Sequence, residues 1–152
     1  MRVYGEVEIG APFLRLRGKI KSPAQRRTIY SKWAFLYRVF IQDRYDRLSR
    51  GGGEWPAKLT PGPILRVTDT LFEALRPNGR NQAGRFTKFT KSYVEVGYGN
   101  QGMHPTADMT VEALAEIHQR GLGVVPQRRI IVGPPANVSR QMEQVAVDEL
   151  SN

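Results

Sequence analysis

A chain of 152 residues with 40% hydrophobic and 24% charged side chains has the size and composition of one globular domain over 1–152, with too little chain for two independent cores and too much apolar surface for wholesale disorder. Cysteine is missing, which excludes disulfide scaffolds, thiolate metal sites and cysteine nucleophiles, and agrees with synthesis in a reducing cytoplasm. The formal charge of +9 is unevenly spread, because residues 1–50 carry 12 basic against 4 acidic side chains and the remainder 11 against 10. Such asymmetry marks a surface for nucleic acid, a basic face for an acidic protein partner, or a merely solvated helix face. The densest apolar stretch, Trp33 to Ile41, is broken by Arg38 and is far below the roughly 20 residues of a spanning helix, and the first residues lack a secretory pattern. A soluble cytoplasmic product with no membrane partner is expected.

In chain order, Val3, Val7 and Ile9 alternate loosely, and Leu14, Leu16 and Ile20 alternate with Arg15, Arg17 and Lys19. Period two predicts one or two strands with a basic outer face, a strand arm over 1–21. Ser22 as N-cap and Pro23 at the first helical position open a long helix to about Leu48. Its apolar stripe runs through Ile29, Trp33, Leu36 and Phe40, widened by Tyr30, Tyr37, Ile41 and Leu48. Gly51, Gly52, Gly53, Pro56, Pro61, Gly62 and Pro63 make 51–63 an irregular, flexible loop. Trp55 stands inside it, an indole with no use in a free linker. It is expected to anchor the loop on the core or on a neighbouring subunit, at on the order of 2 to 3 kcal/mol of burial.

A short helix follows around Leu71, Phe72 and Leu75, with Thr68 as its cap, then a flexible connection over 76–85. Phe86–Phe89 and Tyr93–Tyr98 read as paired strands, and 99–109 as a third flexible loop. Thr110 to Gln119 reads as a helix capped by Thr110, supported by Glu112 and closed by Gly121. Val124, Val125, Ile130, Ile131 and Val132 predict a further strand reached through a bend at Pro126, and Val138, Met142, Val145 and Ala146 a terminal helix to about Leu150. The class is α+β: a small antiparallel sheet packed on one long amphipathic helix, with shorter helices and long loops.

Chemistry-bearing patterns are sparse. His118 lies on the apolar face of its helix, where a histidine is usually a core residue hydrogen-bonded to backbone. His104 stands in a loop with Asp108 as its nearest acid. Gly97-Tyr98-Gly99-Asn100-Gln101-Gly102 has the glycine spacing of a dinucleotide loop, but Met103, His104 and Pro105 follow where the mechanism needs a helix N-terminus. The Asn137-Val138-Ser139 sequon has no meaning in a cytoplasmic chain. Neither a Walker A loop nor a GxSxG elbow occurs. No catalytic, cofactor or metal site is expected. Aromatics interleave with basic residues in 26–47, yet they fall on the stripe the core takes rather than on a stacking platform.

The order of features is distinctive. A long basic helix leads to Gly53-Glu54-Trp55-Pro56, then Ile64-Leu65-Arg66-Val67-Thr68-Asp69-Thr70-Leu71-Phe72, then Val94-Glu95-Val96-Gly97. Ala115-Glu116-Ile117-His118-Gln119-Arg120-Gly121 and Val125-Pro126-Gln127-Arg128-Arg129-Ile130-Ile131 close the series. Over about Tyr30 to Pro134 this resembles the virion morphogenesis or tail-completion family of tailed phages. Asp69 stands where that family commonly has glycine, and Gln127 where it commonly has alanine. The resemblance implies a structural, non-catalytic neck or tail-end protein of the virion, assembled in the host cytoplasm as a homo-oligomeric ring. A hexamer or dodecamer is favoured, beside portal-side, neck or tail-tube proteins and with genomic DNA in the channel as a further contact. Arg15, Arg17, Lys19 and Lys21 are the candidate docking edge and Trp55 the candidate anchor. The alternative is a small basic nucleic-acid-binding protein, with an enzyme a distant third.

Overall fold

The computed structural model describes residues 4–6 (backbone only), 18–51, 53–56, 68–91 and 93–152. In chain order the elements are β1 (Tyr4–Glu6), α1 (Pro23–Ser49), α2 (Thr70–Ala74), β2 (Arg85–Phe89), β3 (Val94–Tyr98), α3 (Val111–Arg120) and α4 (Ala136–Ser151). The strands form one antiparallel sheet in the order β1-β3-β2, with Tyr4 opposite Gly97 and Thr87 opposite Val96. An α+β fold, with a small antiparallel sheet and one long helix, is what the sequence patterning led one to expect. Of the expected arm, 7–17 lie outside the described residues, and Gly18 to Ile20 form a turn and coil instead of continuing a strand.

Helix α1 starts where its sequence says it should. The Ser22 hydroxyl accepts from the Gln25 amide at 3.1 Å, and Pro23 sits where its missing N–H has no partner to lose. Its buried face runs Ile29, Tyr30, Trp33, Ala34, Tyr37, Arg38, Ile41, Arg44, Tyr45 and Leu48, at alternating short and long steps that track one side of a 3.6-residue helix. Leu36 and Phe40, expected at the centre of the stripe, are half-buried at its margin, while Phe35 and Val39 on the outer face are each 43% exposed. Two arginines therefore occupy core positions and two large apolar side chains occupy water.

The stripe packs on one side against β3, through Val94, Val96 and Tyr98, and on the other against α4, through Val138, Met142 and Ala146. Its aromatics use their polar tips to tie neighbouring backbone, as buried Tyr and Trp must. Trp33 Nε1 donates to the Met142 carbonyl at 2.8 Å, Tyr37 to Val132 at 2.8 Å, and from β3 Tyr98 donates to Leu71 at 2.8 Å. Burial pushes the Tyr37 and Tyr98 hydroxyls well above the usual phenol range, so both remain donors.

The short helix α2 is not capped by Thr68. Its N-cap is Asp69, at φ 54° and ψ 3°, and the Thr68 hydroxyl instead meets His104 Nε2 at 2.9 Å. Helix α3, by contrast, has the expected termini. Thr110 accepts from the Ala113 amide at 3.1 Å, and Gly121 turns left-handed at φ 67° with its N–H on the Ile117 carbonyl at 2.9 Å. A Cβ at Gly121 would also stand 2.8 Å from the Gln127 nitrogen, so glycine is required there twice over.

The strand expected within 123–132 does not form. Residues 126–130 are coil and 131 is a bend, and polar backbone groups here are met by side chains rather than by a strand among the described residues.

Candidate functional site

Three segments separated in sequence meet around the irregular chain 128–132. Gln119, on the last turn of α3, places one amide against it in both directions. Its Oε1 accepts from the Ile130 and Ile131 amides at 2.7 and 2.9 Å, and its Nε2 donates to the Ile131 carbonyl at 2.8 Å. One side chain thus satisfies two consecutive amides, which converge at the bend, and a carbonyl. From α1, Arg44 Nη1 donates to the Arg129 carbonyl at 2.7 Å and to Ile130 at 3.3 Å, while Nη2 pairs with Glu54 at 2.9 Å. Trp55 Nε1 also reaches the Arg129 carbonyl, at 3.3 Å. Arg128 closes the clasp. Its N–H donates to the His118 carbonyl at 2.7 Å, and its guanidinium donates to Pro56 at 3.2 Å.

Trp55 is 5% exposed, edge-on to Tyr45 with ring centroids 5.0 Å apart and an interplanar angle of 84°. It thus sits in the core of its own chain. The Gly53–Pro56 turn is drawn down by that indole and by the Arg44–Glu54 pair. His118 differs from the expected core histidine. It is half-buried, its Nδ1 has no hydrogen-bond partner among the described residues, and its backbone carbonyl accepts from Arg128. Burial first, and the Arg128 charge second, pull its pKa down to about 4, so the ring is neutral at neutral pH. His104 organises a turn. Its Nδ1 accepts from the Thr106 and Ala107 amides at 3.2 and 3.0 Å, which leaves Nε2–H to donate to Thr68. Among the described residues its ring makes no bond to Asp108.

The loop 121–127 projects from this clasp. Its tip carries Leu122 and Val124, 41% and 101% exposed, flanked by Gly121 and Gly123. The glycine-spaced segment 97–102 is the end of β3, at Gly97 and Tyr98, followed by a turn with Asn100 and Gln101 at φ 62° and 55°. The Asn100 amide binds the Gly84 and Gly102 nitrogens at 2.9 and 3.0 Å and the Gln82 and Arg85 carbonyls at 3.2 and 3.0 Å, which ties 82–85 to 100–102.

The basic third divides into two populations. Arg38 and Arg44 are buried structural cations, and Lys32 and Arg50 pair with Glu149 and Asp46. Lys19 and Lys21 are exposed at the entrance to α1, close in sequence to Arg26 and Arg27, and none of the four pairs with a carboxylate among the described residues. Arg15 and Arg17 lie outside the described residues. The roles of Gln119, Arg38 and Arg44 went unread in the sequence. For the arginines the signal was present, since Arg44 lies three residues after Ile41 and four before Leu48, on the buried side.

Among the described residues no group of three or more His, Asp or Glu side chains could hold a metal ion, and no helix is long and apolar enough to cross a membrane. No protein-family model, curated protein or solved structure matches the chain.

Proposed function

We propose that the chain is a structural, non-catalytic component of a virion head–tail junction and works as one subunit of a closed ring, a hexamer or dodecamer. The observation that carries the reading is the clasp. Glu54-Trp55-Pro56, His118-Gln119 and Arg128 to Ile131 belong to the segments on which the family resemblance rests, and they meet at one place. Gln119, Trp55 and Arg128 turn polar groups onto backbone and Glu54 pairs with Arg44, an arrangement that serves to hold a shape. Asp69 adds to this: it holds a φ of 54°, which glycine adopts without strain, at the position where that family commonly carries glycine.

Two apolar surfaces fit a ring. Leu122 and Val124 stand out on a loop tip, and Phe35 with Val39 lie one turn apart on the outer face of α1. A head-to-tail contact needs two different surfaces on every subunit, which close into a ring when the rotation allows. The exposed Lys19 and Lys21, with Arg15 and Arg17, would dock carboxylates of a neighbouring neck protein.

The test is mass and shape in solution, by light scattering and negative-stain imaging, alone and with purified tail or head intermediates. The expected result is a ring whose formation is blocked by Val124→Glu and whose joining to particles is blocked by Lys19→Glu with Lys21→Glu, both variants remaining folded. A chain that stays monomeric in solution and in particles, yet binds duplex DNA with a steep salt dependence, would replace this reading with a nucleic-acid-binding one.

A further inference from the structure

A second polar feature lies away from the clasp, where β2 meets the 76–82 connection. Arg80, Asn81, Arg85, Thr87 and Asn100 line a cleft of about 350 Å³, which shares Arg80 with a groove of about 590 Å³ along Arg76, Asn78 and Gln42. Its charge is uncompensated. Arg76 pairs with Glu73 at 3.2 Å, but the Arg85 guanidinium donates only to the Arg76 and Pro77 carbonyls, and Arg80 has no carboxylate partner among the described residues. Carbonyls hold a guanidinium in place and leave its charge intact.

Behind the cleft stands a third cation. Arg38 is 1% exposed and donates to Ala74 at 3.0 Å, to Phe86 at 2.6 Å and to the Thr87 hydroxyl at 2.7 Å, with no carboxylate among these partners. Guanidinium nitrogens only donate, so Thr87 Oγ1 accepts from Arg38 and its own O–H is left to donate elsewhere. Thr87 is exposed and lines the cleft. Its hydroxyl is therefore a donor polarised by a buried cation and available to a ligand in the opening. Burial first and the Arg85 charge second pull Arg38 down to about 9. The four hydrogen bonds of Asn100 fix the lip, so little ordering cost remains for a ligand.

We propose that this cleft binds a phosphate group, either free or in the backbone of a nucleic acid, with Arg80 and Arg85 supplying charge and Thr87 a directed hydroxyl. The Thr87 hydroxyl from β2 and the Arg80 guanidinium from the preceding connection offer donors to the oxygens of a phosphate, and the carbonyl-held Arg85 adds charge beside them. The site is independent of the assembly reading, since it shares no residue with the clasp or the loop tip.

The experiment titrates the full chain with inorganic phosphate, with acetate, and with a short duplex oligonucleotide, at constant ionic strength set with chloride. Backbone amide shifts of Asn81 and Thr87 report binding. Saturable binding of phosphate but not acetate is expected, weakened about tenfold or more by Arg80→Gln and by Thr87→Val, and retained by Thr87→Ser. Arg80 is exposed, so its variant keeps the fold. An oligonucleotide that binds more tightly than phosphate and is displaced by it assigns a nucleic-acid backbone, whereas phosphate binding without oligonucleotide binding assigns the free anion. Equal responses to phosphate, acetate and chloride, or wild-type affinity in Arg80→Gln, would overturn the proposal.

Discussion

The β2–β3 ladder and the irregular chain 128–132 are built from similar residues and held in opposite ways. Both present β-branched apolar side chains to the core, Val94 and Val96 in one and Ile130 and Ile131 in the other. In the ladder, backbone meets backbone over five registered pairs, so no single side chain is essential to the hydrogen bonding. In 128–132 the backbone is met by side chains from three places: Gln119 on α3, Arg44 and Tyr37 on α1, and Trp55 in the loop after it. The ladder is robust to substitution and ends at its edges. The clasp is fragile to single substitutions, but it fixes how three distant segments and the 121–127 loop sit together.

This contrast can be broken by removing the groups that act only on one side of it. Trp55→Ala is expected to have the largest effect, about 3 to 5 kcal/mol, because a cavity is added to the lost burial and to the lost bond at Arg129. Trp55→Phe keeps part of the packing against Tyr45 and should cost less. Chemical denaturation of both variants checks the order, and equal stability of the two would contradict it.

Gln119→Ala comes next, at about 2 to 3 kcal/mol, since it strands two amides and a carbonyl together. Its signature is local: hydrogen exchange at Ile130 and Ile131 should accelerate well beyond the change in global stability. Val96→Ala is the matched control in the ladder. It should cost about 2 kcal/mol through lost methyl burial while the β2–β3 amides keep their protection relative to the global value. If Gln119→Ala leaves exchange at Ile130 and Ile131 in step with global unfolding, the segment is not held as described.

The smallest effect is that of pH. His118 titrates near 6.5 in an unfolded chain and at about 4 in the fold, so between those values the unfolded state binds a proton that the folded state refuses. Stability is therefore full above about pH 6.5 and declines as the pH falls towards 4. Unfolding free energies measured across this window should show a shallower decline in His118→Gln than in the parent, and parallel profiles would assign the acid sensitivity to other groups.

Much of the fold could be read directly from residue order. Ser22-Pro23 fixed the start of α1, Thr110 and Gly121 bounded α3, and alternation marked β2 and β3, because caps and period-two patterns act over a few neighbouring residues. The position of Trp55 was legible as an anomaly, an indole in a glycine-rich loop. The strand expected near Ile130 was not distinguishable from the segment that is there, since apolar periodicity reports which face is buried and says nothing of what satisfies the backbone.

The sequence by itself thus determined the α+β class, the long helix with its aromatic stripe, the start of α1 and both ends of α3, and the concentration of charge in the first third. Only the tertiary structure decided which of those charges are surface. Arg38 and Arg44 count in composition as Lys19 and Lys21 do, yet they lie in the core because distant carbonyls of 74, 86, 129 and 130 arrive there to receive them. The physical reason is range. Propensity and capping are local, whereas the desolvation of a guanidinium is offset only by acceptors that the fold brings from tens of residues away.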